Sequence, residues 1–261
     1  MIRAKKSLGQ NFLIDQNVIN KIVNIIELKD KDVLEIGPGT GNLTNGILKK
    51  NPKRILAIEK DNHLAELLKK KFETKVEIIN KDILKINENS LSDHSLIVFG
   101  NLPYNISTEI LIKWIINIKE KIWFESLILM FQKEVADRII SSFNNKSYGR
   151  LTILANWRLH IKKISDVKPS SFSPRPKIES TILFFKPKKN FFLFKNPKNL
   201  EIVTRTFFMH RRKMIKKPYS KLFNGDFSVA SRVGVDLNLR PQNLNFETYF
   251  RIAKEYENLR S

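Results

Sequence analysis

The chain has 261 residues, 42% of them hydrophobic, no cysteine, and a formal net charge of +21 at neutral pH. That length and apolar content build a packed core and exclude wholesale disorder. The missing cysteine excludes disulfides, thiolate zinc sites, iron–sulfur clusters and a cysteine nucleophile, and no metal centre is expected. It also closes the usual thiol route to methylation of pyrimidine C5, while leaving adenine chemistry open.

No apolar run approaches the roughly 20 residues needed to span a bilayer. The basic start, Met1–Ser7, is not followed by an apolar signal core, so a soluble, cytoplasmic protein is expected. A polyanionic partner would neutralise the surplus positive charge. An AT-rich genome would also inflate lysine, but position argues against that as the whole cause. Residues 186–261 carry 17 Lys and Arg against 6 Asp and Glu, whereas residues 1–185 carry 30 against 20.

In chain order, Val18, Ile22, Ile25 and Ile26 mark one face of an early helix, preceded by Gly9-Gln10-Asn11-Phe12 as a loop. Asp32–Gly37 reads as a strand, Gly37–Gly41 as a tight turn, Asn42–Lys50 as a helix, and Arg54–Ile58 as a second strand ending at Glu59. This is a βαβ unit with an acid 22 positions after Gly37, placed to accept hydrogen bonds from both hydroxyls of a ribose. Gly37 and Gly39 let backbone approach a ligand. The spacing is G-x-G-x-G rather than G-x-G-x-x-G, which favours S-adenosylmethionine over a dinucleotide. A third strand, Lys75–Asn80, ends near Asp82, read either as a turn cap or as an acceptor for the cofactor's adenine amine.

A fourth strand, Leu96–Phe99, runs into Gly100-Asn101-Leu102-Pro103-Tyr104-Asn105, with a helix from about Ser107. A fifth strand, Phe124–Phe131, precedes a helix through Glu134 and Ile140, and Tyr148-Gly149-Arg150 opens another with Leu151, Leu154 and Trp157 as its core face. Two late strands, near His160–Val167 and Glu179–Phe185, form an antiparallel hairpin at the sheet edge. Three prolines forbid regular structure in the Lys168–Lys177 loop between them. Beyond Lys186 the pattern is helical: Leu200–Ile215, then Ser228–Val233 and Phe246–Glu257.

The expected fold is α/β, a class I (Rossmann-like) methyltransferase with a seven-stranded, mostly parallel sheet and a small C-terminal helical domain. The expected division is an N-terminal segment 1–30, a cofactor domain 31–186 and a basic RNA-binding domain 187–261.

Asn101, Leu102, Pro103 and Tyr104 are the candidate catalytic residues. The adenine amine is a poor nucleophile because its lone pair is delocalised into the ring. The Asn101 side-chain oxygen and the Leu102 or Pro103 carbonyl would hold its hydrogens, with Tyr104 stacking on the base. Phe172, on the proline-rich loop, is a candidate clamp for the other face of the base.

Six motifs in order carry a resemblance: Gly9–Leu13, Glu35–Gly41, Gly100–Ser107, Gln132–Val135, Tyr148–Leu151 and Ser170–Pro174. Over nearly its whole length the chain resembles the KsgA-type ribosomal RNA adenine dimethyltransferases. The resemblance implies transfer of two methyl groups to each of two adjacent adenosines, in a hairpin loop near the 3′ end of small-subunit (16S) rRNA. It implies S-adenosylmethionine as donor, with Asn11 and Leu13 joining Gly37, Glu59, Asp82 and Asn101 around it. The run Arg211-Arg212-Lys213 matches the family's RNA-binding region. The implied partner is a partly assembled small subunit (a pre-30S particle), with the enzyme a monomer.

The departures lie near the C-terminus. Lys216-Lys217-Pro218 breaks a helix that the family usually continues, and Gln242 stands where an acid is common. The rival readings are a macrolide-resistance-type 23S rRNA dimethyltransferase, a non-catalytic RNA-binding assembly factor, and a DNA adenine methyltransferase.

Overall fold

The computed structural model describes residues 4–5, 8–118 and 122–260, so most of the basic Met1–Ser7 run lies outside it. Among these residues the strands are β1 (Phe12–Leu13), β2 (Asp32–Ile36), β3 (Arg54–Glu59), β4 (Glu77–Asn80), β5 (Leu96–Asn101), β6 (Phe124–Gln132), β7 (Leu159–Val167), β8 (Phe172–Ser173) and β9 (Ser180–Pro187). Seven of them form one sheet in the order β4-β3-β2-β5-β6-β9-β7, and β1 pairs with β8. From β4 to β6 the neighbours run parallel, and β9 runs antiparallel to β6. The seven-stranded, mostly parallel sheet expected from the sequence is present.

The central strands are nearly continuous apolar runs because both faces of the sheet are covered. Val33, Leu34, Ile97, Val98 and Phe99 are all fully buried. The helices α1 (Gln16–Val23), α2 (Asn42–Leu48), α3 (Asn62–Phe72), α4 (Ser107–Ile116), α5 (Lys133–Ile139) and α6 (Arg150–Arg158) fall between these strands. The chain moves outward from β2 through β3 to β4, then returns to add β5 on the other side of β2. The order therefore reverses between β2 and β5, and such a reversal opens a crevice at the carboxyl ends of the strands. Ile36 and Gly100 are partners across that pair, so the β2–α2 turn and Asn101 lie side by side.

The chain clusters into two compact units. The first holds the described residues up to Lys113, with Ile118–Ala136 and Ile161–Pro187; the second holds Trp114–Asn117, Asp137–His160 and the described residues from Lys188 onward. The second unit is helical, with α6, α7 (Lys198–Phe208), α8 (Lys216–Leu222), α9 (Ser228–Val233) and α10 (Phe246–Asn258). Its core is rich in rings: Phe207 and Phe208 lie against Tyr249, and Tyr219 stacks on Phe223.

Several expectations are corrected. Helix α1 ends at Val23, and its buried stripe is Ile19, Ile22 and Val23 rather than a face reaching Ile26. The Asn24 amide folds back on the Asn20 carbonyl, so Ile25 and Ile26 meet the core from a turn. Helix α6 buries almost every side, and Leu151 is only half-buried. Helix α7 ends at Phe208, so Arg211, Arg212 and Lys213 lie in a turn. Pro218 does not break a helix. It sits in the first turn of α8, where no intrahelical partner awaits its missing N–H. The two late strands do lie side by side at the sheet edge, as expected, with β9 next to β6 and β7 outermost.

The proline-rich loop also holds more regular structure than its prolines imply. Pro169–Ser171 makes a 3₁₀ turn, and Phe172–Ser173 pairs with Phe12–Leu13. That pairing turns Phe172 into the core beside Leu13 and Ile19, with 1% of its surface exposed. Its ring has no face to offer a base, so it is a packing residue and not a clamp. Phe172→Ala should cost about 3–5 kcal/mol in denaturant unfolding, the range for deleting a buried aromatic ring. Unchanged stability would contradict the packing role.

Candidate active site

The pocket at the carboxyl edge of β2 and β5 is lined by residues 8–13, the Glu35–Leu43 turn region, Ile58–Lys60, Lys81–Ile83 and Asn101–Ile106. Gly37, with φ of +65°, has only the Asn101 carbonyl within 4.0 Å of where a Cβ would stand. A side chain there would project into the pocket. Gly39, with φ of +58°, is closed for another reason: a Cβ would meet the Phe12 ring at 2.7 Å. The glycine turn and the N-terminal segment are packed against each other.

Glu59 ends β3 and is 6% exposed. Its Oε1 accepts from the Asp61 N–H at 2.8 Å and its Oε2 from the Gly39 N–H at 3.2 Å. Burial nevertheless holds its pKa above the usual carboxylate range. A carboxylate has about four lone-pair sites, so capacity remains for two hydroxyl donors. Asp82 takes the capping role weighed for it, at the wall of the pocket. Its Oδ1 caps the 3₁₀ turn at Leu84 and its Oδ2 pairs with Lys60 at 2.8 Å, which lowers its pKa, while the residue lines the pocket. Leu13 is a core side chain. Its contribution is its backbone, whose carbonyl accepts from Asn42 Nδ2 at 2.8 Å.

Asn101, the last residue of β5, donates from Nδ2 to the Asn11 carbonyl at 2.7 Å. Because that partner can only accept, the nitrogen end of the amide is committed and Oδ1 is left as its free acceptor. The Pro103 carbonyl takes the Ile106 N–H at 3.1 Å, which closes the turn. Of the two carbonyls considered from the sequence, that of Leu102 takes no part in this turn hydrogen bond, while that of Pro103 keeps one further lone pair. The Tyr104 hydroxyl shares a 2.6 Å hydrogen bond with the Ser180 hydroxyl.

Three features were not singled out from the sequence. Glu35 is 2% exposed, and burial pushes it up to about 7, with the Glu59 charge adding to the rise and Thr44 and Lys71 opposing it. Its Oε2 has no hydrogen-bond partner. The N-terminal segment is tied across the pocket by Lys5 and Gln10, both bonded to Asp61 Oδ2. Asp61 itself caps α3, and an Asp just before a helical stretch was the available signal.

In the second unit, Arg211 is tied to its neighbours through Nε and Nη2. Its Nε donates to Gln242 Oε1 at 3.1 Å, and its Nη2 donates to the Asn145 and Lys146 carbonyls. Arg212 and Lys213 are exposed. Gln242 therefore orients Arg211 without neutralising it.

A model of the family described as ribosomal RNA adenine dimethylase matches residues 1–258. The chain belongs to the ribosomal RNA adenine dimethylase family. A Pelagibacter ubique (strain HTCC1062) protein named ribosomal RNA small subunit methyltransferase A is 63% identical over 259 residues, 99% of each chain. Among solved structures, a dimethyladenosine transferase from Plasmodium falciparum matches with a TM-score of 0.78 at 25% identity, covering 95% of this chain and 98% of that one. The 23S rRNA methyltransferase ErmE matches at 0.68 and 23% identity, over 95% of this chain and 100% of that one. At that identity the likeness speaks to the fold alone.

An adenine dimethylase of this family takes its methyl groups from S-adenosylmethionine, a cation with a ribose diol, and the pocket fits that chemistry. The pocket is lined by three acidic side chains, Glu35, Glu59 and Asp82, together with Lys60 and Lys81, and Lys60 is paired with Asp82. The cradle at Gly37 is kept open, and Glu59 has acceptor capacity to spare.

Glu35 gives this dimethylase a pH signature. Its folded pKa lies above its unfolded value, so the fold holds the proton more tightly. Stability from this group is full below about pH 4.5 and is lost as pH rises through about 7. Across that window, wild type should lose about 1–3 kcal/mol relative to Glu35→Gln in denaturant unfolding. Parallel pH profiles would contradict the buried carboxyl.

Proposed function

We propose that the chain dimethylates the N6 amines of two adjacent adenosines in the 3′-terminal hairpin loop of 16S rRNA, using S-adenosylmethionine. On this reading it acts as a cytoplasmic monomer on partly assembled small subunits. The observation that carries the chemistry is the Asn101–Asn11 hydrogen bond, which leaves Asn101 Oδ1 as the acceptor at the pocket. The relationship to small-subunit methyltransferases over the full length supports the choice of RNA. The large-subunit alternative has only the shared fold in its favour.

Each residue then has a definite task. Glu59 accepts from the donor's ribose hydroxyls, Asp82 from its adenine amine, and Gly37, Gly39, Asn11 and Leu13 shape the cavity with backbone. Asn101 Oδ1 and the Leu102 carbonyl each take one hydrogen of the target amine, drawing the nitrogen toward a tetrahedral shape with its lone pair directed at the methyl carbon. Tyr104 stacks on the base and fixes its plane. Pro103 stiffens the turn that carries these groups. When bound, the donor supplies an electrophilic methyl on a positively charged sulfur. No strong base is needed, because the amine becomes acidic as it is alkylated.

Arg212 and Lys213 engage phosphates, with Arg211 organising the turn from behind. This makes binding strongly dependent on salt. Arg212→Ala should weaken small-subunit binding and reduce the slope of log K against log salt by about 1, while Arg211→Ala acts by loosening the turn.

The direct test offers purified protein and labelled donor to small and large subunits from cells lacking the modification. N6,N6-dimethyladenosine is expected in 16S rRNA only, and labelling of large subunits instead would contradict the reading. Asn101→Ala should lower kcat by about 100-fold, comparable with removing one aligned polar group from an active site. A variant within a few-fold of wild type would remove Asn101 from the chemistry.

A further inference from the structure

Ser180 opens β9, the antiparallel strand of the sheet. Because β9 runs against its neighbour, its first residue lies at the carboxyl edge of the parallel strands, paired with Gln132 at the end of β6. Asn101 sits at the same edge, paired with Met130 two residues earlier in β6. Ser180 is fully buried, and its hydroxyl shares the 2.6 Å hydrogen bond with the Tyr104 hydroxyl. Tyr104 is anchored at its backbone by the Asn101–Ile106 turn and at its ring tip by a rigid strand.

We propose that Ser180 is a positioning residue that fixes the Tyr104 ring and thereby sustains the second methyl transfer to each adenosine. The inference rests on the adenine-dimethylation reading above. Before the first transfer the amine has two hydrogens, one for Asn101 Oδ1 and one for the Leu102 carbonyl. In each transfer the nitrogen lone pair takes the methyl carbon, the carbon–sulfur bond breaks, and the nitrogen releases one proton to solvent. The once-methylated amine therefore returns with a single N–H and can satisfy only one acceptor. The stacked ring must supply a larger share of the alignment on the second pass. A ring free to pivot would cost the second transfer more than the first.

Single-turnover methylation of unmodified small subunits resolves the two steps. Ser180→Ala should slow the second transfer about 10-fold, the scale of one lost buried hydrogen bond, and the first by no more than about 3-fold. N6-monomethyladenosine then accumulates while donor affinity holds. Tyr104→Phe removes the other hydroxyl without touching β9 and should give the same product ratio. The Ser180→Ala, Tyr104→Phe double variant should be no worse than either single. Equal slowing of both steps, a wild-type product ratio, or additive losses would overturn the proposal. Wild type that makes no dimethyladenosine would overturn the underlying reading instead.

Discussion

The site depends on one pairing, β2 with β5 at the point where the strand order reverses. The register that sets Ile36 opposite Gly100 brings the glycine turn and Asn101 to the same edge. Burial of β2 and of β5 as far as Gly100 holds the register, since a slip of one residue would turn every side chain to the opposite face. Gly37 turns with φ of +65°, a conformation that a side chain would strain, and the Asn101 carbonyl lies across the crevice from it.

On that frame, the N-terminal segment does more than cover the pocket. Phe12–Leu13 is held by pairing with Phe172–Ser173, by Asn42 on the Leu13 carbonyl, and by Phe12 against Gly39. These contacts place the Asn11 carbonyl, and that carbonyl decides which end of the Asn101 amide is left free. On the proposed reading, the donor pocket and the acceptor for the target amine share one structural support. The antiparallel β9 brings a second support, Ser180, to the same edge. In the proposed reaction, catalysis is alignment supplied by hydrogen bonds that are themselves anchored in buried structure.

Local patterns made the sheet legible. Leu96–Phe99 is an uninterrupted apolar run, Asp32–Ile36 is apolar apart from its two acids, and the Gly37–Gly41 turn and Glu59 have fixed spacing. What depends on distant partners was not legible. Phe172 looks like a loop aromatic until its backbone pairs with Phe12 and Leu13, some 160 residues away. The tie of Arg211 to the Asn145 and Lys146 carbonyls spans some 65 residues and has no local signature. Pro218 reads as a helix breaker when helix α7 is taken to run on to Ile215, and as a helix starter once that helix ends at Phe208. Asn101 was legible as a polar residue at a strand end, but the sense of its amide was set 90 residues upstream.

That sense is measurable. In protein labelled with ¹⁵N-asparagine, the Asn101 side-chain amide can be assigned by its absence in Asn101→Ala. Its two Hδ2 protons should differ, one exchanging with water far more slowly because it is bonded to the Asn11 carbonyl. If both exchange at the same solvent-limited rate, the amide is not anchored, and the account of how the acceptor oxygen is presented to the target amine is wrong.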